Sequence, residues 1–95
     1  MLFGRKKQEN GTKLSKALTK DERDTLVIYL AAMSAGAEDS NVKSASQAMA
    51  KLIQDDEPII GPAILGLINV CKTIGDAAGR SSEAQGIVSK LERLL

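Results

Sequence analysis

Apolar positions are densest in Pro58-Ile-Ile-Gly-Pro-Ala-Ile-Leu-Gly-Leu-Ile-Asn-Val-Cys-Lys-Thr-Ile-Gly75. From Ala63 onward, Ile64, Leu67, Ile68, Val70, Cys71 and Ile74 lie nearly all round a helix, which predicts a central helix packed on several sides. Pro62 suits its first turn, where a missing amide costs nothing. Gly75 suits the residue after its last turn, where positive φ is wanted.

The flanking patterns are also helical. Thr19-Lys-Asp-Glu22 has the form of a capping box, and Asp21, Glu22 and Asp24 put negative charge where the helix dipole favours it. A helix over 20–34 or 20–35, ending at Gly36, follows. Its apolar run from Leu26 to Met33 predicts packing beside the central helix. Leu14, Ala17 and Leu18 predict a short turn ahead of it. Ser40 or Asn41 can cap a second helix reaching about Gln54, with Val42, Ala45, Ala48, Met49, Leu52 and Ile53 on one stripe. Asp55, Asp56 and Glu57 end that helix and would place acids before the central one. Beyond Gly75, Ser81 or Ser82 can cap a last helix, Ser82 having Gln85 at capping-box distance. Ala84, Ile87, Val88, Leu91, Leu94 and Leu95 form its stripe. The sum is an all-α fold, a small bundle of four main helices joined by short loops that favour antiparallel neighbours. Val27-Ile-Tyr and Pro58-Ile-Ile-Gly are the only β-leaning runs, and both abut stronger helical signals.

Composition narrows the chemistry. With 95 residues, 43% hydrophobic and 26% charged, the chain makes one soluble domain, and 2% aromatic content leaves an aliphatic core. A lone cysteine points to a reducing compartment. The absence of histidine removes the commonest general base and metal ligand.

The net charge of +1 conceals polarity along the chain. Residues 1–20 hold six basic side chains against Glu9, a local net of +5, while the rest hold seven basic and eleven acidic, a net of −4. Residues 1–12 read as a flexible basic arm and 13–95 as a single helical domain. In the arm, Leu2 and Phe3 stand beside Arg5, Lys6 and Lys7, a combination that favours contact with an anionic surface, either a membrane or nucleic-acid phosphate. Leu2 replaces the glycine that myristoylation requires. No apolar export segment follows the first residues, and the longest apolar run, 58–68, falls well short of the roughly 20 residues that span a bilayer. The expectation is a cytoplasmic protein, peripheral at most to the inner face of a membrane.

Sets of residues that carry catalysis are missing. Cys71 lacks a base and sits in an apolar helix, so a buried, protonated thiol is the reading. Asp55, Asp56 and Glu57 have too few companion oxygen donors for a cation site and suit helix ends better. Gly75-Asp-Ala-Ala-Gly79 lacks the Lys-Ser/Thr and the preceding strand of a phosphate-binding loop. The last helix, over 82–95, has no net charge, which argues against a DNA recognition helix. The chain is therefore read as non-catalytic, with no cofactor, no metal and no small-molecule substrate. Surface for partners remains. Ala45, Ala48 and Ala50 on the second helix are small enough to admit another backbone, and Met49 is adaptable; tight packing within the monomer explains the same residues. Met49 and Lys43 are the partner-binding candidates on that helix.

Gly75-Asp-Ala-Ala-Gly-Arg-Ser-Ser-Glu83, followed by a helix ending Lys90-Leu-Glu-Arg-Leu94, resembles the close of the cytoplasmic helical domain of bacterial type II secretion and type IV pilus platform proteins. Leu30-Ala-Ala-Met-Ser-Ala-Gly36 is similar to the end of that family's first helix. Gly36-Ala-Glu-Asp stands where the family usually has Gly-Leu-Pro-Leu. The resemblance covers about residues 24–95. It implies a non-enzymatic domain that docks an assembly ATPase, with Asp76 and Arg80 as exposed motif residues.

These observations lead to a helical protein-protein interaction module, a small adaptor or inhibitor that binds a partner protein through its helical faces. The secretion-platform domain is the alternative, and attachment to a membrane or nucleic acid through the basic arm is a second. A homodimer through the second or last helix is open to the same chain, because both carry apolar stripes.

Overall fold

The computed structural model describes residues 11–95. A 3-10 turn, Leu14–Lys16, leads into four helices: α1 (Lys20–Gly36), α2 (Ser40–Gln54), α3 (Gly61–Ala77) and α4 (Ser81–Glu92). Short loops make two hairpins, α1–α2 and α3–α4, and the hairpins meet where α1 packs on α3. Among the described residues the only extended pairing is an isolated antiparallel bridge between Thr12 and Ile59, with both N–H···O bonds at 2.9 Å. The all-α bundle of four main helices is thus the observed architecture.

Each helix end has a local cause. At α1 the capping box forms: the Glu22 amide donates to Thr19 Oγ1 at 3.2 Å, and the Thr19 amide donates to Glu22 Oε1 at 2.8 Å. For α2 the cap lies one residue earlier than Ser40 or Asn41, because Asp39 Oδ1 accepts the Asn41 amide at 2.8 Å. An aspartate carries full charge at the positive end of the dipole, an advantage that serine and asparagine lack. The α2 C-terminus closes by two reversed bonds, Glu57 amide to Leu52 carbonyl at 2.9 Å and Asp56 amide to Ile53 carbonyl at 3.1 Å. That closure requires a left-handed residue, and Asp56 supplies it at φ 54°.

Two expectations at the central helix are corrected. Gly75 is not its terminator; the helix runs on to Ala77, and Gly79 takes the positive φ of 73°. Arg80 donates to the Gly75 carbonyl at 2.8 Å and Gly79 to the Asp76 carbonyl at 3.1 Å, so the same closure occurs four residues later. Gly75 instead marks the closest approach of α3 and α4, since a Cβ there would overlap that of Ala84. The acids of 55–57 do not occupy the first turn of α3, which starts from Ile60 with no side-chain cap and with Pro62 in its first turn. They are used at the end of α2 instead: Lys51 pairs with Asp55 at 3.3 Å, and Ser15 Oγ donates to Asp56 Oδ2 at 2.9 Å. Helix α4 also begins without the Ser82–Gln85 box, from Arg80 as the flanking residue.

The core is aliphatic. Leu26, Tyr29 and Leu30 of α1 meet Ile64, Leu67, Ile68 and Cys71 of α3, while Ala84, Ile87, Val88 and Leu91 close it from α4. Leu14, Leu18 and Ile59 cap one end. Fully burying one such leucine or isoleucine is worth about 1.5–3 kcal/mol, so the predicted stripe of α4 alone explains why that helix docks.

The buried face of α2 differs from the predicted stripe. Ser46, Met49, Ala50 and Ile53 turn toward the core, whereas Val42 is 39% and Leu52 37% exposed, and Ala45 and Ala48 face solvent. At 100° per residue the docked face is rotated by roughly 70° from the apolar one. The reason is that α2 docks chiefly on α1, with no comparable contact to α3. Ser46 and Ala50 are small enough to let the two helices approach.

The crossing at Gly75 gives a direct test. Gly75→Ala is expected to cost about 1–3 kcal/mol by overpacking, read by urea unfolding followed by circular dichroism. Gly86→Ala on α4, where a Cβ meets nothing, should instead stabilise by about 0.5–1 kcal/mol. Equal stability of the two variants would refute a tight crossing.

Candidate interaction surface

The residues singled out from sequence fall in two separate places. Asp76 and Arg80 sit at the α3–α4 turn. Asp76 accepts a short hydrogen bond from Ser81 Oγ, and Arg80 Nη1 lies 3.5 Å from Glu83 Oε1. Both side chains are exposed, yet both brace the turn. Lys43 and Met49 lie on α2, on different sides of that helix. Lys43 borders an open cleft of about 450 Å³ between α1 and α2, whose walls include Val27, Ala31, Ser34, Gln47 and Ala50. Gln47 Nε2 donates to Ser34 Oγ across it at 3.2 Å. Met49 borders a hollow of about 170 Å³ between α2 and α3, shared with Ala45, Ala63, Gly66, Leu67 and Val70. Arg5, Lys6 and Lys7 lie outside the described residues.

The hollow follows from the rotation of α2. Turning Ser46 and Ala50 toward α1 carries Ala45 and Leu52 to the outer edge. The facing side of α3 offers Ala63 and Gly66, too small to fill the gap. Charge is absent from this part of α3: no Asp, Glu, Lys or Arg occurs from Gly61 to Cys71. The result is an apolar depression between α2 and α3, uncharged along α3.

Two polar links hold α4 against α1, and sequence reasoning found neither. Lys90 Nζ donates to Glu22 Oε1 at 2.9 Å and Oε2 at 2.7 Å, so the carboxylate that starts α1 also anchors the end of α4. The Tyr29 hydroxyl, at the tip of a ring that is 2% exposed, donates to Glu83 Oε1 at 2.7 Å. Residues 68 and 54 positions apart carry no local signal of pairing.

The electrostatics follow these contacts. Hydrogen bonding from Lys90, then from the Thr19 amide, holds the Glu22 carboxyl below its ordinary value of 4.5. Burial, then the Glu83 carboxylate, pushes the Tyr29 phenol up to about 12. Burial pushes the Cys71 thiol up to about 11, so it is protonated at neutral pH and a poor nucleophile.

Among the described residues no group of acidic, cysteine or histidine side chains is placed to hold a metal ion, and no helix is long and apolar enough to cross a membrane. No protein-family model, curated protein or solved structure matches the chain.

Two measurements check the polar links. Because the folded pKa of Glu22 is depressed, its contribution is present above about pH 4.5 and lost as pH falls through the folded value. Lys90→Met should therefore destabilise the protein at neutral pH, with the gap from wild type shrinking below pH 4.5; a gap undiminished in strong acid would assign the effect to packing. Tyr29 is the only tyrosine, so ultraviolet absorbance follows it alone. Its raised pKa stabilises the fold up to about pH 10, and that contribution disappears as pH rises toward 12. An alkaline midpoint near 10 in the folded protein would refute the burial of the Tyr29 phenol together with its Glu83 contact.

Proposed function

We propose that the protein is a non-enzymatic helical interaction module that binds a partner protein through the face between α2 and α3. The observation that carries this reading is the apolar edge of α2, left uncovered because its docked face is rotated away from its apolar stripe. An apolar hollow at the junction of two helices is where a partner side chain gains most, since it is desolvated on several sides at once. Small residues at Ala45, Ala63 and Gly66 let another backbone come close. Met49, at the margin, can adjust its rotamer to a partner. Docking onto a secretion ATPase would be one instance of the same class of function, while the turn residues Asp76 and Arg80 already have partners within the chain.

A photo-crosslinking side chain at Ala45 should capture a discrete adduct in the source cells, and the same group at Gln85, exposed on α4, should not. Absence of any adduct from position 45, or equal capture from both positions, would sink the proposal.

A further inference from the structure

We infer that α2 is a detachable lid: it parts from α1 as one unit while α1, α3 and α4 stay packed, and its parting uncovers apolar side chains of α1 and α3. This is a property of the chain alone and holds whatever partner the α2–α3 face takes. Its first support is how little α2 adds to the core. Among the described residues α2 buries only Ser46 and Ile53, with Met49 and Ala50 half-buried. By contrast α3 buries Ile64, Leu67, Ile68, Val70 and Cys71, and α4 buries Ala84, Ile87, Val88 and Leu91. The close approach of α2 to α1 does not offset this. Ser46 and Ala50 bring the two backbones together because they are small, and for the same reason they remove little apolar area from water.

The seam around α2 is already open. Besides the cleft of about 450 Å³ toward α1 and the hollow of about 170 Å³ toward α3, a third space of about 250 Å³ lies between Val42, at the start of α2, and Met33 and Ile74. Such gaps leave fewer atoms in van der Waals contact to lose on opening. Across the seam Gln47 Nε2 donates to Ser34 Oγ at 3.2 Å, a bond that water replaces at small net cost. The long-range links of Lys90 to Glu22 and of Tyr29 to Glu83 join α1 to α4, and the departure of α2 leaves them intact.

Both ends of α2 can bend. Gly36 precedes the connection to Asp39, and a Cβ there would meet nothing. Beyond Gln54 the chain turns through Asp56 at φ 54°, and Ile59, buried and bridged to Thr12, ties the connector to the body. The moving part is thereby bounded by Gly36 and Ile59. When α2 leaves, Val27 and Leu30 of α1 and Leu67 and Val70 of α3, which line the gaps, lose their cover on that side.

Native-state hydrogen exchange of the full chain in increasing urea, read by NMR, tests the lid. Amides of residues 43–54 should share one protection level and one urea slope smaller than the global slope, and exchange at least about tenfold faster than the slowest amides of α3 and α4. Val88→Ala separates the two openings. Val88 is 1% exposed and lies between α3 and α4, away from α2, so its truncation weakens the closed and the α2-open forms equally. Protection in α3 and α4 should fall, while protection in α2 stays within about twofold of wild type. Three results would overturn the lid: residues 43–54 exchanging together with the slowest amides of α3 and α4, exchange in α2 that is fast but independent of urea, as single-residue fraying gives, or an equal loss of protection in α2 and α3 on Val88→Ala.

Discussion

The fold depends on covering α1. Its middle presents Leu26, Tyr29 and Leu30 on one stripe at i, i+3 and i+4, and all three are buried. Helix α2 covers one side, α3 an adjoining one, and α4 reaches it through Lys90 and Glu83. Polar groups mark these contacts without opposing them. Tyr29 buries its ring and keeps its hydroxyl on a carboxylate, which avoids the cost of an unpaired polar group. Glu22 does two jobs with one charge, since it accepts from the amide of the capping residue Thr19 and holds the end of α4.

That arrangement explains where the molecule is unfinished. α3 lies against α1 and α4 and has apolar side chains nearly all round. α2 has one major neighbour, and its apolar stripe is wider than the face that α1 covers. The surplus falls beside α3 as the hollow at Met49. The surface proposed to bind is thus a by-product of how the core is filled: Ser46 and Ala50 let α2 sit close to α1, and their choice of face leaves Ala45 and Leu52 outside.

Local signals carried the fold. The capping box at Thr19, the first-turn position of Pro62 and the stripe of α4 were all legible, because each is set by residues within one or two turns. Errors arose where two local solutions competed. Gly75 and Gly79 both suit a helix end, and the close crossing with Ala84, which no local pattern reveals, gave Gly75 a different task. Asp39 outcompeted Ser40 by charge. The candidate site was half legible. Met49 was singled out for adaptability, but the depression beside it needs α3 at a known distance. Asp76 and Arg80 were named as exposed motif residues through the resemblance; that Ser81 and Glu83 partner them depends on the geometry of a turn, which no local pattern reveals.

The Glu22–Lys90 pair has a kinetic meaning. It joins side chains 68 positions apart, whereas the two hairpins are built from near neighbours in sequence. Contacts that close long loops demand the most chain entropy and tend to form after local ones. A contact absent from the folding transition state slows escape from the native state without hastening its formation. The pair therefore acts as a latch on residence time: it sets how long the bundle stays closed more than how fast it assembles.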